Sequence, residues 1–411
     1  MTPTGNIQRP IGFKPQEISA LVNREVVEQH AEEASFLWLL RDDAVRAPNY
    51  NLQDLADLDE RVEANVDGLR VGGDVGWEYC ETGLEKEEPG EVFAAAVIAF
   101  EGTNERRIQK VLEIACSTPE LGRALGSALG WLTFEQAKTQ AESLLRSEDT
   151  KAVRIGLTGF AVHRQDPGSF LVDTITSSDP HLRARALKAA GELGKTNIIS
   201  LLMDALSDAN ETCKFYAAWS AGRLGQRNDR VITVLKEITL SGGDYCERAA
   251  DMVMRVLDVI SAKTWYRDLL KNPDTARCAV IGAGALGDPE LIDDLFLLME
   301  KEEVAQVAGE TFSMITGVDI EYKDLDREEP EGFEGGPSEE ADDEDVDMDP
   351  DEDLPWPNPE LIRKWWKEHR KDFRSGVRYL RGKEMSIGSL MDALIHGEIR
   401  APGKRQLKLL K

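Results

Sequence analysis

A five-residue phrase returns along this chain at a fixed period: Ala190-Gly191-Glu192-Leu193-Gly194, Ala221-Gly222-Arg223-Leu224-Gly225 and Ala283-Gly284-Ala285-Leu286-Gly287. The first two copies lie 31 residues apart and the last two 62, twice that, so the register passes through a worn copy between them. Units of this length are helix pairs that cannot bury their apolar stripes alone and must stack on one another. The predicted fold is therefore all-α, an α-solenoid. Each unit reads as a first helix ending in the phrase, a turn at its last glycine, and an apolar second helix such as 198–206 or 291–299. Small residues let neighbouring helices approach, and the leucine fills the space between layers.

The clean repeats run over 148–317. Asp179-Pro180, Asn272-Pro273 and Asp288-Pro289 each pair a capping side chain with a proline suited to the first helical turn, so they mark helix starts. Upstream, 19–147 reads as a helical region with degenerate repeats. Its clearest amphipathic helix begins at Asn51 and carries Leu52, Leu55, Leu58, Val62, Val66 and Leu69 at spacings of three or four. Gly122, Gly126 and Gly130 form a smooth stripe on which another helix can lie. Residues 1–18 are expected to be an extended arm.

Beyond the repeats the composition changes in kind. Residues 328–353 hold 15 Asp and Glu and no Lys or Arg, with one aromatic residue, so 318–353 is predicted to be a disordered acidic linker. Residues 354–411 carry 14 basic against 6 acidic side chains and form a basic, tryptophan-containing helical tail. Of the whole chain's charge of −27, the −15 of the linker and the +8 of the tail leave −20 on residues 1–327. Such a body repels nucleic acid and anionic membranes, which turns the expectation towards protein partners.

The five cysteines, at 80, 116, 213, 246 and 278, are scattered and lack a CxxC pair, which suits buried thiols in a reducing compartment. No basic segment followed by an apolar stretch opens the chain. The longest apolar run, Val92 to Phe100, is far shorter than the roughly 20 residues a spanning helix needs. A cytoplasmic location is expected.

The familiar chemical motifs do not form. Asp343, Asp345 and Asp347 alternate like the first ligands of a calcium loop, but Met348 stands where its glycine belongs. The five histidines include no i, i+4 pair, and no phosphate loop or nucleophile elbow appears, so no metal, cofactor or catalytic residue is assigned. Two groups remain. Arg183, Arg185, Arg223, Arg248 and Arg277 fall at or near repeat helices, either as an anion-binding ridge or as partners of nearby acids. Trp356, Pro357, Trp365 and Trp366 lie in Leu354-Pro-Trp-Pro-Asn-Pro and the helix after it. Tryptophan is a favoured interface residue, so these four are the candidate protein-binding site. The alternative is that they anchor the tail on the last repeats.

The Ala-Gly-x-Leu-Gly units, Thr311-Phe-Ser-Met-Ile-Thr-Gly317 and Leu354-Pro-Trp-Pro-Asn-Pro-Glu-Leu-Ile-Arg-Lys-Trp-Trp366 resemble a family of bacterial HEAT-repeat proteins encoded in type VI secretion gene clusters. The blocks from Gln29 to Asp42, Leu58 to Ala64 and Glu88 to Ala96 are similar to the same family. The resemblance implies a HEAT-like solenoid, of the type also found in phycobilisome lyases. It further implies a non-enzymatic scaffold, adaptor or chaperone that holds a secretion effector or spike-tip protein. An immunity protein occluding a toxin, or a HEAT-like lyase, are the other readings.

Overall fold

The computed structural model describes residues 22–45, 47, 50–102, 104–333 and 349–396, without the side chains of 394–396. The expected arm over 1–18 lies outside these residues. The chain divides into two compact units: the residues up to Arg41 with Asp57–Arg146, and Asp42–Ala56 with the residues from Ser147 onward.

The first unit is built from α1 (Arg24–Ala44) as far as Arg41, α2 (Leu52–Gly72) from Asp57 onward, α3 (Asp74–Gly83), α4 (Pro89–Gly102), α5 (Glu105–Ala115), α6 (Pro119–Trp131) and α7 (Phe134–Leu145). Along α2 the stripe predicted from spacing is buried at Leu58, Val62, Val66 and Leu69. Every residue of α4 from Val92 to Phe100 is buried, as expected of a helix that is apolar all round. α6 packs on it and buries Gly122 and Gly126. Trp38 stacks on Phe93 with ring centroids 5.0 Å apart and donates its indole N–H to Ser127 Oγ at 3.0 Å.

The second unit holds the repeats as two layers of helices. One layer comprises the phrase-bearing helices and their equivalents: α8 (Thr150–Val162), α10 (Pro180–Glu192), α12 (Glu211–Arg223), α14 (Cys246–Val256), α16 (Ala276–Leu286) and α18 (Glu302–Thr316). Between them run α9 (Ser169–Ile175), α11 (Ile199–Ala205), α13 (Asp229–Ser241), α15 (Val259–Leu269) and α17 (Ile292–Leu298). Capping starts these helices. Asp179 accepts from the His181 and Leu182 amides ahead of α10, and Asn272 and Asp288 open short 3-10 turns before α16 and α17. Each such cap contributes about 1 kcal/mol.

The phrase explains the stacking. A Cβ on Gly191 would come within 2.8 Å of Ser220 Cβ, so α10 and α12 touch only because that side chain is missing. Ser220 then donates to the Leu187 carbonyl at 2.7 Å, and Thr311 repeats the bond to Val280 at 3.1 Å between α16 and α18. The closing glycines 194, 225, 287 and 317 all have left-handed φ, between 68° and 85°. One unit upstream, past the end of α8, Arg164 holds that place with φ 56°. In the worn unit Leu257, just past the end of α14, is extended instead, so the chain leaves that helix without a left-handed closing residue there.

The expected linker does not begin at Val318. Val318, Ile320 and Leu325 are buried in the core around α16, α17 and α18. Arg327 donates its amide to the Trp356 carbonyl at 2.9 Å, and the Asn358 amide donates to Leu325 at 2.8 Å. At the other end, Asp351 is buried in an ion pair with Arg277 at 2.5 Å. The three apolar side chains and these backbone bonds seat 318–327, while the Asp351 ion pair and the Gln306 side-chain amide, which donates to the Asp351 and Leu354 carbonyls at 3.0 and 2.8 Å, hold 349–354. The remaining expectation of disorder falls on 334–348, outside the described residues.

The tail contains α19 (Pro359–His369), a short hairpin of β1 (Tyr379–Leu380) and β2 (Lys383–Glu384), and α20 (Ile387–His396). The hairpin is an element the all-helical expectation for this segment missed. Its turn donates from the Arg381 amide to Met314 at 2.6 Å and from Gly382 to Ile315 at 3.0 Å, which satisfies carbonyls at the end of α18. Tyr379 does the same for Gly287 at 2.7 Å.

Burial also governs the thiols. It pushes Cys80 up to about 12 and Cys213 up to about 11, and only the thiolate is reactive. We expect labelling of these two by an aromatic disulfide reagent to follow unfolding. Mass-spectrometric mapping checks this, and fast modification of either thiol in the native protein would contradict the packing.

Candidate functional site

The four tail residues proposed from sequence are brought together, but on the chain's own last repeat. Trp356 and Trp366 are 7% and 5% exposed, Pro357 is buried and Trp365 is half-buried. Phe312 of α18 meets Trp365 and Trp366 edge-on, with ring centroids 5.8 Å and 6.4 Å apart. Trp365 also stacks on His369 at 4.0 Å, and Pro357 lies in the space that a side chain on Gly309 would fill. The reason is geometric: α18 has an apolar face that no further repeat among the described residues covers. α19 packs on both α17 and α18, as the second helix of a final unit would. A partner reaching these tryptophans has to compete with that packing.

A hydrogen-bonded strap reinforces the docking. Gly376 donates to the buried carboxylate of Asp288 at 3.1 Å, Ser375 donates to Glu290 at 2.6 Å, and Lys263 pairs with both acids. The bonds from Lys263 and Ser375 hold Glu290 at about 2, below its ordinary 4.5. A depressed carboxylate stabilises the fold above its unfolded value, and that contribution is lost as pH falls through the folded one. We therefore expect the urea midpoint to drop as pH is lowered from about 4.5 towards 2, and Glu290→Gln to flatten that dependence. Parallel profiles for both proteins would show that the strap is not held by this pair.

The arginine set divides. Arg183 forks onto Asp208 at 2.6 and 2.9 Å, Arg185 pairs with Glu192 at 2.8 Å, and Arg277 reaches Glu247 at 2.6 Å as well as Asp351. For these three the ion-pair reading holds. Arg223 and Arg248 make no salt bridge among the described residues. Arg223 lies 4.7 Å over the Trp219 ring, its Nε donates to the Gly191 carbonyl at 3.4 Å, and its Nη1 is buried without a hydrogen-bond partner. Burial first, and then Arg164, draw its pKa down from the usual arginine value despite Glu192. Arg248 is exposed and sits over the rings of Phe215, Tyr216 and Tyr245, at 4.9, 5.5 and 5.7 Å.

These groups form one continuous face. Arg185, Lys188 and Glu192 of α10, Tyr216, Trp219 and Arg223 of α12, and Arg248, Asp251 and Arg255 of α14 share the i, i+3, i+7 spacing of a single helix face. Lys188 Nζ lies 5.7 Å from the Tyr216 ring, which Arg248 also approaches. Burial pushes the Tyr216 phenol up, but Lys188, Arg248 and Arg185 outweigh it and leave it below its ordinary value. Lys188, Tyr216 and Trp219 escaped the sequence reading. The 31-residue period carried the signal, since it sets 185 above 216 and 188 above 219.

The first unit has a depression of about 490 Å³ lined by Glu63, Arg70, Glu101, Trp131, Leu132, Thr133 and Gln136. Its arginine is already committed to Glu63, Asp67 and Glu101, and Trp131 donates to Glu63. Among the described residues no group of three His, Cys, Asp or Glu could hold a metal ion, and no helix is long and apolar enough to cross a membrane.

No curated protein matches the chain. A crystal structure of an engineered protein is similar at 16% identity over 72% of this chain and 98% of that one, with a TM-score of 0.33. Residues 168–255, from the turn before α9 to the end of α14, match the family model for HEAT repeats, and the array that contains them is a HEAT-repeat solenoid.

Proposed function

We propose that this protein is a non-enzymatic scaffold or adaptor that binds a protein partner on its repeat array. The observation that carries this is the face shared by α10, α12 and α14, where three successive units within the HEAT-matched residues present side chains in register. Stacked repeats offer such surfaces because each unit adds one more row to the same face. The resemblance to proteins of type VI secretion clusters supports a finer reading, in which the partner is a secretion effector or spike-tip protein held before delivery. Co-purification from cells of the source organism with the tagged full chain, followed by mass spectrometry, tests both levels. A retained protein at fixed stoichiometry is expected, encoded beside this chain if the finer reading is right. A chain that emerges alone would overturn the scaffold reading. Loss of the gene is expected to stop secretion and leave the cells alive, whereas cell death would identify toxin occlusion instead.

A further inference from the structure

The second unit places a cationic, aromatic strip on a strongly acidic protein. Of the nine face positions on α10, α12 and α14, five are basic (185, 188, 223, 248 and 255) and two acidic (192 and 251), while residues 1–327 together carry −20. Arg185 and Arg255 are satisfied by Glu192 and Asp251 within the strip. That leaves Lys188, Arg223 and Arg248, one on each of three successive helices. Lys188 has a carboxylate only at 3.7 Å, from the Glu192 that Arg185 already holds. Arg223 and Arg248 rest on rings and backbone, as described above.

From this we infer that the strip is the binding surface for an acidic segment of a protein partner, whose carboxylates meet Lys188, Arg223 and Arg248 in turn. The inference rests on the scaffold reading and names the chemistry of its partner. Three arguments support it. Rings beneath the cations hold them in place without neutralising them, so the exposed Arg248 guanidinium remains available to a carboxylate, while half-buried Arg223 still lacks a partner for Nη1. The spacing fits an extended chain. Packed helices lie about 8–10 Å apart, and a peptide in the extended polyproline II conformation rises about 3.1 Å per residue with three residues per turn, so acidic residues three apart point to the same side and reach successive helices. The −20 of the surrounding body disfavours a nucleic acid, whose phosphates continue past a strip this short, whereas a peptide can confine its charge to a few residues.

The test uses the full chain and a fluorescein-labelled twelve-residue peptide with glutamate at every third position and serine between. A thymidine dodecamer serves as the nucleic-acid probe. We expect the peptide to bind at low salt and to weaken as salt rises. The Lys188→Gln/Arg248→Gln double variant, whose side chains are not in the core, should bind it at least about tenfold more weakly. Lys271→Gln, with the same type of charge change on a side chain 75% exposed and away from the strip, should bind as the unaltered chain does. Circular dichroism establishes that the variants keep their helices. Absence of peptide binding, indifference to the double variant, an equal loss in Lys271→Gln, or equally tight binding of the thymidine dodecamer would each overturn the inference. If a co-purified partner ignores the double variant, this inference falls while the scaffold reading stands. If no partner is retained, the scaffold reading falls first.

Discussion

Phe312→Ala is expected to destabilise the second unit by about 3–5 kcal/mol, the range for removing a large aromatic side chain from a core. Phe312 is fully buried, and its ring lies within 6.4 Å of the rings of Phe296, Trp365 and Trp366. It therefore joins the last two repeat helices to α19 at one point, and the cavity left behind has three rigid rings for walls. Urea unfolding followed by tryptophan fluorescence measures the loss. Because Trp366 shares that cavity, Phe312→Ala and Trp366→Ala are expected to be non-additive, the double variant losing less than the sum of the singles. Additive losses would mean that α19 and α18 are not packed through this pair.

The second large effect distinguishes two roles of one repeated residue. Gly225 and Gly317 both close a repeat in the left-handed region, with φ 85° and 76°. For Gly225 an added Cβ meets nothing within 4 Å, so Gly225→Ala is expected to lose only the backbone penalty, about 1–2 kcal/mol. For Gly317 the same Cβ would stand 2.6 Å from the Arg381 carbonyl carbon and oxygen, and these backbone atoms cannot swing aside as a side chain can. Overpacking adds about 1–3 kcal/mol, so Gly317→Ala is expected to lose about 2–5 kcal/mol in all. Limited proteolysis provides the second readout: the Gly317→Ala tail should be cut between 370 and 384, while Gly225→Ala leaves it protected. Equal losses and equal protection would remove the hairpin from the end of the array.

The array was legible because its chemistry is local and periodic. The short distance that requires Gly191 and the turn that requires Gly225 recur every 31 residues, so the same letters recur with them. Asp179 and Asn272 were legible as caps for the same reason, since each acts within three residues of itself. Segment 318–327 was not. Its buried Val318, Ile320 and Leu325 are diluted by the charges of Glu321, Lys323, Asp324 and Asp326, and its hold on 356–358 is made by backbone groups that every sequence possesses. The arginines posed a different difficulty. Asp208 lies 25 residues from Arg183 and Asp351 lies 74 from Arg277, so no local pattern separates a paired arginine from Arg223 or Arg248. Trp365 and Trp366 were legible as residues with work to do, and whether that work is inside or outside the molecule is decided by what α18 leaves uncovered.

The seat of α19 on α18 also sets an order of events during synthesis. Trp366 follows Phe312 by 54 residues, which at about 5–20 residues per second is about 3–11 s of translation. Throughout that interval the newest helix pair on the ribosome has its apolar face open, available to a chaperone or to the matching face of another nascent chain.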